Sequence, residues 1–477
     1  MRSLLSTGTV RTRFAPAPTG TMHIGNVRTA LFNYIFARQK NGACILRIED
    51  TDQDRNYDPQ ATQIQEHLAW MGISYNEGPM QGGNYGPYFQ SQRNDIYTKY
   101  LDLLIQKNIV YRCFATPEEL EQKRQRQMAM KMPPRYDRAY AHLSPDQIQK
   151  FLDEGRPFVW RVRVDSTKTL EFTDLARGTM HFDLKNFSDF PITRQDGSFT
   201  FIFANCIDDI TMQMTHVFRG EDHLTNTVYQ AIIYQALQAP LPTFWHMPIL
   251  CNTEGKKLSK RDRGFSLEDV KQQGFLPEAV ANYLALIGSS FPEEIFDLET
   301  MIKTYNFEHL STAGQVKYDI EKLIWVNNKW INKLSAQELT KRALPFLMSV
   351  YPQAQQNTNL EMLISKIQTD LHTLAQAPTL LKFYFDYKQI TKQDIYNHLE
   401  QTKVDALVSL FQTAMAQAQN GNDFLATVKS TKLDGISPKE MWPTLRYILT
   451  ENPTGIAIID AIECMGFEEA KERIMAC

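Results

Sequence analysis

The segment from Arg13 to Asn26, RFAPAPTGTMHIGN, constrains the fold more than any other part of the chain. Residues 9–15 alternate between two faces, which predicts a β-strand. Pro16 and Pro18 end that strand, and apolar residues recur at helical spacing from Ile24 onward. A strand, a loop and a helix in this order are typical of an open parallel α/β sheet. The chain to about residue 105 continues to alternate between strand and helix patterns.

The start of this helix is suited to an anion. The N–H groups of a first helical turn have no partner within the helix, and the helix dipole places positive charge at the same end. Both features favour phosphate. Gly25 lets a planar base lie against the backbone, and His23 can donate a hydrogen bond to phosphate oxygens as charge grows in a transition state.

A second basic segment, KLSKR at residues 257–261, lies far downstream between two glycines. Alone, such a segment is usually a solvated loop or a nucleic-acid patch, and a lone His-x-Gly is usually an ordinary turn. The strand–loop–helix context changes this balance. The combination predicts that phosphates are held between the helix start and a mobile pair of lysines, Lys257 and Lys260.

Several further segments follow in order along almost the whole chain. They are LRIEDTD (46–52), GPYFQSQR (86–93), ANCIDD (204–209), HVFRGEDH (216–223), GFLPEAVANYL (274–284) and DIEKLIWVNNKWI (319–331). With them the chain resembles the class I aminoacyl-tRNA synthetases, and among these the bacterial-type glutamyl-tRNA synthetases. In that family HIGN and KLSKR stand for the "HIGH" and "KMSKS" signatures of ATP binding.

The resemblance implies the fold class and the domain order. We expect an α/β Rossmann-type parallel-sheet catalytic domain with an inserted domain, followed by an all-α anticodon-binding domain. The expected segments are 1–105 and 191–250 for the two catalytic halves, 106–190 for the inserted tRNA acceptor-binding domain, 251–325 for the stem-contact region with the KLSKR loop, and 326–477 for the helical domain.

Local patterns add detail to this division. They predict strands at Phe199–Phe203, His216–Arg219 and Trp245–Leu250, and no strand after about Glu278. The polar stretch Thr116–Gln149 is rich in Lys and Arg, which fits the acceptor-binding role implied by the resemblance. Its alternative is a charged surface helix.

Composition excludes some classes of protein. A chain of 477 residues is too long for one compact core, so we expect two or more domains. The net charge of −3 means that nucleic acid must be held by local basic patches. The six cysteines form no close pairs, which indicates a reducing compartment and makes the cytoplasm the expected location. No apolar run approaches the length of a membrane span.

Three charged residues match glutamate, which carries one ammonium and two carboxylate groups. Arg13 lies on the first predicted strand, Glu49 ends the second, and Arg219 ends a later one. Carboxyl ends of parallel strands meet at one crevice, and Arg pairs with carboxylates in bidentate fashion. The resemblance assigns the α-amino group to Glu49 and the side-chain carboxylate to Arg13 and Arg219, helped by Asn205. The alternative is a structural Arg13–Glu49 ion pair across neighbouring strands.

The resemblance implies a complete set of site residues. The glutamate site would comprise Arg13, Ala15, Ala17, Glu49, Phe201, Asn205 and Arg219. The ATP site would comprise Pro16, Thr19, Gly20, His23, Gly25, Asn26, Leu250, Leu258, Ser259 and Lys260, with the two leucines flanking adenine. The catalytic residues would be His23, Lys257 and Lys260: His23 and Lys260 would stabilise the pentavalent phosphorus, and Lys257 would assist together with Ser259.

Three of these positions depart from the family pattern. Ala17 stands where serine is frequent, and Phe201 stands where tyrosine is usual. Each change removes a hydroxyl worth about 0.5–1.5 kcal/mol if it were hydrogen-bonded. Asn26 replaces the second histidine of "HIGH" and still supplies a donor. None of the three changes the expected reaction class.

We expect no zinc in this chain. Some relatives carry a site of three cysteines and one histidine in the inserted domain. Cys113 and His142 match two of these ligands, whereas Ala115 and Tyr140 occupy the other two positions. Structural zinc needs four N or S ligands. Magnesium is expected to arrive with ATP and to bind mainly through its phosphates.

The implied reaction has two steps: ATP-dependent formation of glutamyl-adenylate from L-glutamate, and transfer to the 3′ end of tRNA(Glu). In this family an arginine in the helical domain is thought to help exclude tRNA(Gln). The comparable stretch here, Ser365–Leu374, contains no arginine, which favours tRNA(Gln) as a second substrate. Monomer is the family default. A glutaminyl-tRNA synthetase is the first alternative, disfavoured because those enzymes usually end in β-barrels. The second is a non-catalytic RNA-binding paralogue, against which His23 and the paired lysines argue.

Overall fold

The computed structural model describes residues 9–51, 57–258, 264, 266–289, 291–308, 310 and 314–477. The strands are β1 Arg11–Phe14, β2 Ala43–Leu46, β3 Val110–Cys113, β4 Val159–Val162, β5 Thr169–Asp174, β6 Gly178–Asp183, β7 Phe190–Pro191, β8 His216–Gly220, β9 Thr243–Met247, β10 Ile249–Cys251 and β11 Gln315–Lys317.

The α-helices in the first 319 residues are α1 Ile24–Gln39, α2 Thr62–Trp70, α3 Asn94–Gln106, α4 Pro117–Ala129, α5 Pro145–Asp153, α6 Phe201–Thr211, α7 Leu224–Leu237, α8 Leu267–Gln272, α9 Pro277–Leu286 and α10 Leu298–Thr304. Those that follow are α11 Ile320–Ile331, α12 Ala336–Met348, α13 Leu360–Ile367, α14 Ala377–Leu380, α15 Lys382–Phe385, α16 Lys392–Tyr396, α17 Gln401–Gln417, α18 Gly421–Ser430, α19 Pro438–Thr450, α20 Ile458–Met465 and α21 Phe467–Met475. Short 3-10 helices lie at Gln90–Gln92, Leu184–Asn186, Glu221–His223, Pro352–Gln356, Gln368–Asp370 and Leu374–Gln376.

The chain divides into two compact units, one of residues 1–268 and 281–319 and the other of 269–280 and 320–477. In the second unit every regular element among the described residues is a helix. Its core is built from apolar side chains such as Val404, Phe411 and Leu445, which are fully buried. None of the described helices in either unit is both long and apolar enough to cross a membrane.

The first unit is built on parallel strands. β1 pairs in parallel with β2, and β8 pairs in parallel with β9. The N–H of Thr215 donates to the carbonyl of Arg11 at 3.1 Å, which brings the starts of β1 and β8 together. β5 extends the sheet in parallel on β9, and β6 follows it in antiparallel. The carboxyl ends of β1, β8 and β9 therefore lie at one edge, where open α/β sheets bind ligands.

Helix α1 is a core helix. The helix begins where the sequence predicts, and His23 is its N-cap, with extended backbone dihedrals and its ring accepting from the Asn26 N–H. Phe32 packs on Trp245, with ring centroids 5.1 Å apart, and Phe36 packs on Phe218 at 5.0 Å. Because these contacts bury α1 against β8 and β9, the position of its first turn is set by the sheet.

The segment predicted as an insertion contains the small antiparallel sheet of β3, β4 and β7. Thr116–Gln149, the basic stretch, contains α4 and the start of α5. Both helices begin with a capping box and a proline in the first turn, and neither contains a fully buried residue. The alternative of a charged surface helix thus describes the local structure, and it leaves the binding role open.

The predicted strand at Phe199–Phe203 is wrong, because α6 begins at Phe201. The run TFIFANCIDD looks strand-like when only its apolar residues are counted. In the helix, Phe203, Ala204 and Ile207 are buried together at spacings of one and three residues. The helical state also places Asn205 and Asp209 one turn apart on the same face, which matters for the site below.

Two other strand predictions need correction. The predicted strand Trp245–Leu250 is interrupted at Pro248, which has no N–H to donate, and it forms β9 and β10 instead. The prediction that no strand follows about Glu278 is also wrong, because β11 lies after that residue and pairs in parallel with β10. Three residues with a single buried side chain, Val316, carry too weak a pattern to be seen in the sequence.

Candidate active site

A cavity of about 420 Å³ lies at the carboxyl ends of β1 and β8. The structure brings all seven residues predicted for glutamate to its wall: Arg13, Ala15, Ala17, Glu49, Phe201, Asn205 and Arg219. Ala15 and Ala17 belong to the loop after β1, and their small side chains leave room there. The ring of Phe201, where a tyrosine is usual, lies 5.4 Å from that of His223 and contributes no hydroxyl.

Arg219, at the end of β8, is a buried cation with donors to spare. Its side chain is held through one nitrogen, because Nη2 donates to Thr227 Oγ1 and to Gln230 Oε1, both at 2.6 Å. Nε and Nη1 are buried and have no hydrogen-bond partner among the described residues. Burial and the nearby Arg13 lower the pKa of Arg219 to about 10. Since an unmet buried donor costs about 1–3 kcal/mol, an anion in the cavity would relieve this guanidinium.

Arg13 is held from beneath by an aspartate. Its Nε donates to Asp209 Oδ1 at 3.0 Å, and Nη1 donates to the carbonyl of Phe218 at 3.4 Å. The same Asp209 oxygen accepts from Arg47 Nη1 at 2.6 Å. Burial acts to raise the pKa of Asp209, but the two guanidinium groups outweigh it, so this pKa lies below its ordinary value. The direct Arg13–Glu49 ion pair, considered as an alternative from the sequence, is not among the described contacts.

Glu49 is oriented by its own set of donors. It lies three residues beyond β2, and its N–H donates to the carbonyl of Pro16 at 2.9 Å, which joins it to the loop after β1. Its Oε1 accepts from Arg47 Nη2 at 3.2 Å and from the Asn205 side-chain amide. Burial raises the pKa of Glu49, while Arg47 and Arg13 act against that rise.

The charges beneath the cavity do not cancel. Asp208 completes the cluster: it accepts from Arg93 Nε at 2.6 Å and lies 3.6 Å from Arg47 Nε. The buried cluster contains the four guanidinium groups of Arg13, Arg47, Arg93 and Arg219 and the three carboxylates of Glu49, Asp208 and Asp209. Among these seven groups, taken as ionised, the guanidinium groups outnumber the carboxylates by one. A buried surplus of this kind favours a ligand with one net negative charge.

A second cavity of about 300 Å³ adjoins the first, since Asn26, Thr29, Gly220 and His223 line both. Of the residues predicted for ATP or catalysis, it is lined by His23, Gly25, Asn26, Leu250, Lys257 and Leu258. A third cavity of about 260 Å³ is lined by Pro16, Thr19, Gly20, His23 and Asn26. Asn26, in the first turn of α1, therefore borders all three cavities. A helix N-terminus that faces open space can bind an anion.

His23 is held through one of its two ring nitrogens. Its Nδ1 accepts from the Asn26 N–H at 3.3 Å, so in the neutral ring the hydrogen is on Nε2. Burial, and then the neighbouring Lys257, lower the pKa of His23 against the opposing effect of Asp222. The ring therefore stays neutral at pH 7. Lys257 Nζ lies 3.2 Å from Asp222 Oδ2, while Ser259 and Lys260, also predicted for this site, lie outside the described residues.

Sequence reasoning missed the residues that hold the predicted ones. Asp208 and Asp209 have no predicted role, although two adjacent acids in an apolar helix indicate buried partners. Thr227 and Gln230, which anchor Arg219, carry no distinctive signal. Arg194 is exposed and lines the first cavity, and it too was missed.

The positions compared with a zinc site have other contacts. Cys113 Sγ lies 3.2 Å from the hydroxyl of Tyr136, and Tyr140 Oη lies 3.3 Å from Glu119. Within the part of the chain that is described, no group of three or more His, Cys, Asp or Glu side chains is arranged to hold a metal ion.

Comparisons with known proteins show what the chain is similar to. Residues 9–325 match the family described as tRNA synthetases class I (E and Q), catalytic domain, and residues 338–477 match an anticodon binding domain. The chain is 37% identical to the glutamate–tRNA ligase of Bacillus subtilis (strain 168), with 98% of this chain and 99% of that one covered. It is 38% identical to that of Sulfurihydrogenibium sp. (strain YO3AOP1), with 97% and 98% covered.

Solved structures give the same result. The crystal structure of a glutamate tRNA ligase from Elizabethkingia meningosepticum, in complex with its amino acid, matches with a TM-score of 0.83 and 29% identity. That of a glutamate–tRNA synthetase from Elizabethkingia anophelis matches with a TM-score of 0.83 and 28% identity. Each comparison covers 98% of this chain and 99% of the other. The fold is therefore shared over 98% of this chain.

The cluster makes a stability prediction. Asp209→Asn should lower the free energy of unfolding of the first unit by about 3–5 kcal/mol at pH 7, because Arg13 and Arg47 then lose a shared buried carboxylate. The difference should be fully present above about pH 4 and shrink at lower pH, where the parent carboxyl also becomes protonated. Urea unfolding at several pH values measures it.

Glu299→Gln is the matched control, since Glu299 pairs with Lys303 at the surface. It should leave the unfolding curve unchanged. An Asp209→Asn protein as stable as its parent at pH 7 would show that the two guanidinium groups do not depend on this carboxylate.

Proposed function

We propose that this chain, which belongs to the class I tRNA synthetases for glutamate and glutamine (E and Q), is a glutamate–tRNA ligase. It activates L-glutamate with ATP and transfers the glutamyl group to the 3′ end of tRNA(Glu). The observation that carries the proposal is the buried positive surplus beside two unmet donors of Arg219. The full-length similarity to glutamate–tRNA ligases supports it independently.

In the proposed complex, glutamate completes the charge balance of the first cavity. Its ammonium group pairs with Glu49, which Arg47 and Asn205 orient. Its side-chain carboxylate accepts from Arg219, with Arg13 alongside. Glutamate has one net negative charge, which matches the surplus. Glutamine is neutral overall, and its amide N–H groups would face donors, so buried polar groups would stay unpaired.

The second cavity is proposed to hold ATP against the first turn of α1. Leu250 and Leu258 flank the adenine, and the backbone at Gly25 allows close approach. Pro16, Thr19, Gly20 and Asn26 line the path of the phosphates. Mg²⁺ is expected to enter bound to those phosphates, where it would neutralise part of their charge.

Activation is a displacement at phosphorus. The α-carboxylate oxygen of glutamate attacks the α-phosphorus of ATP, and the bond to the departing pyrophosphate breaks. His23 donates from Nε2 to the phosphate oxygens as negative charge grows on them. Lys260 stabilises the same charge from the KLSKR loop, assisted by Lys257 and Ser259. Positioning and charge stabilisation account for the rate, since no covalent enzyme intermediate is formed.

The second step attaches the amino acid to tRNA. The terminal ribose hydroxyl attacks the acyl carbon of the adenylate, and AMP leaves. On this proposal residues 106–190 contact the acceptor end, 251–325 the stem and 326–477 the anticodon. We place the reaction in the cytoplasm, with the protein acting as a monomer and requiring bound tRNA before activation.

Lys260→Ala tests the catalytic assignment. The variant should lose about 10²–10³-fold in glutamate-dependent ATP–pyrophosphate exchange, because a cation next to the reacting phosphate is removed. Its affinity for tRNA should change little. Exchange in the presence of tRNA and filter binding of labelled tRNA measure the two properties.

The neighbouring Lys256 supplies a matched control, since its Nζ pairs with Glu254 at the surface. Lys256→Ala should keep full exchange activity. Exchange that proceeds with glutamine in place of glutamate would favour a glutaminyl enzyme, and none with either would favour the non-catalytic paralogue.

Charging of two purified tRNAs tests the partner. We expect glutamate to be attached to tRNA(Glu), and also to tRNA(Gln), because the stretch Ser365–Leu374 lacks an arginine to exclude it. Acid-gel separation of charged and uncharged tRNA gives the result directly. Charging of tRNA(Glu) alone would remove tRNA(Gln) from the proposal and leave the reaction intact.

A further inference from the structure

Behind Arg219, a chain of buried hydrogen bonds leads away from the first cavity. Arg219 Nη2 contacts Thr227 Oγ1 at 2.6 Å, and this hydroxyl lies 2.6 Å from His246 Nε2. His246 Nδ1 in turn lies 2.8 Å from Asp174 Oδ2. Thr227 and His246 are fully buried, and Asp174 is 1% exposed. Three elements, α7, β9 and β5, thus contribute one residue each to a single line of contacts.

The hydrogens in this chain can be assigned from its two ends. Asp174 Oδ2 accepts from the backbone N–H of His246 at 2.9 Å as well as from Nδ1, so Nδ1 carries a hydrogen. Burial lowers the pKa of His246, and the hydrogen bond to Asp174 opposes that effect. The neutral ring then has an acceptor at Nε2. The Thr227 hydroxyl lies 3.2 Å from the carbonyl of His223 and 2.6 Å from Nε2, and we assign its single hydrogen to the shorter contact. Its lone pairs then face Arg219, which can only donate.

The far end of the chain is fixed as well. Asp174 Oδ1 accepts from the N–H groups of Ala176 at 2.9 Å and of Arg177 at 3.0 Å. Arg177 Nη1 donates to the carbonyl of His246 at 2.6 Å, and its Nη2 donates to Glu221 at 2.9 Å. Asp174 therefore cannot rotate without breaking four hydrogen bonds, counting the two from His246.

We propose that His246 and Asp174 are positioning residues for Arg219: they hold the Thr227 hydroxyl so that one guanidinium nitrogen is anchored and the other two remain for the side-chain carboxylate of the substrate. This inference rests on the proposed function. It extends the specificity site from the cavity wall to a strand of the segment predicted as the insertion, which contains no residue of the predicted glutamate site.

A structural explanation alone predicts something different. If these buried hydrogen bonds only stabilised the core, their loss would lower the stability and the fraction of active protein. It would also weaken the binding of glutamate and of ATP to a similar degree. A positioning role instead acts on one ligand. It also makes Thr227 and His246 act through the same path, so their effects on glutamate binding should not add.

Calorimetric titration of the full chain with glutamate and with ATP separates these cases. Thr227→Val keeps the shape and removes the hydroxyl, and it should weaken glutamate binding about 10- to 100-fold while ATP affinity stays unchanged. Thr227→Ser restores the hydroxyl and should restore glutamate affinity. Ile233→Val is the control, because Ile233 is fully buried on α7, the helix that carries Thr227, and takes no part in these hydrogen bonds. This variant should keep both affinities.

His246→Phe should weaken glutamate binding to the same degree, and the double variant should be no weaker than either single one. The proposal would be overturned if the losses in glutamate affinity were additive, or if glutamate and ATP affinity fell equally. It would also be overturned if the Thr227→Val protein bound glutamate as tightly as its parent. A His246→Phe protein that failed to fold would leave the Thr227 series to decide.

The ring of His246 gives a readout that needs no substrate. In ¹⁵N-histidine NMR, with the signal identified by its absence from a His246 variant, Nδ1 should be protonated and Nε2 should accept a hydrogen bond that Thr227→Val abolishes. A ring protonated at Nε2, or one insensitive to Thr227→Val, would overturn the chain. A parent protein that binds no glutamate yet shows the expected ring would instead reject the proposed function.

Discussion

Asp209 accepts hydrogen bonds from two buried guanidinium groups, Arg13 and Arg47, and the amino-acid side of the site is built around this carboxylate. Arg47 reaches from Asp209 to Glu49, so one buried arginine links the residue proposed for the substrate ammonium to the one that holds Arg13. Isolated buried charges of this kind are costly, and they persist here because nearly every one has an opposite partner. Within the cluster of seven charged groups, the exception is Arg219.

That exception is what gives the cavity its chemistry. Arg219 is anchored by neutral groups, Thr227 and Gln230, whereas the other arginines of the cluster are anchored by carboxylates. Neutral anchors fix the guanidinium without cancelling its charge. A carboxylate at either anchor would satisfy Arg219 within the protein and remove the reason to bind an acidic side chain. Specificity for glutamate thus depends on the absence of a carboxylate behind Arg219 as much as on the arginines themselves.

Much of the wall of the first cavity could be predicted from the sequence, because strand ends can be located from local patterns. Arg13, Glu49 and Arg219 each follow an apolar alternation, and the rule that parallel strands end at one crevice brings them together. The same reasoning placed His23 at the start of α1, where the structure confirms it as the N-cap. These predictions need only local information and one rule of topology.

The residues that lie behind Arg219 could not be predicted, for a physical reason. Thr227, His246 and Asp174 meet because of the packing of α7 and the pairing of β5 with β9, which join residues 19 and 72 positions apart. No pattern in a single sequence encodes that register. Because Phe199–Phe203 was wrongly predicted as a strand, the shared face of Asn205, Asp208 and Asp209 could not be recognised. These three residues fall on one face only in a helix.

The central claim, that an uncompensated buried positive charge selects the substrate, is tested most directly by measuring the affinities of glutamate and glutamine for the parent protein and for Arg219→Gln. The account predicts that the parent prefers glutamate by about 10⁴-fold and that the preference collapses in the variant, whose cluster is neutral. A parent that binds the two amino acids equally, or a variant that keeps the preference, would contradict it.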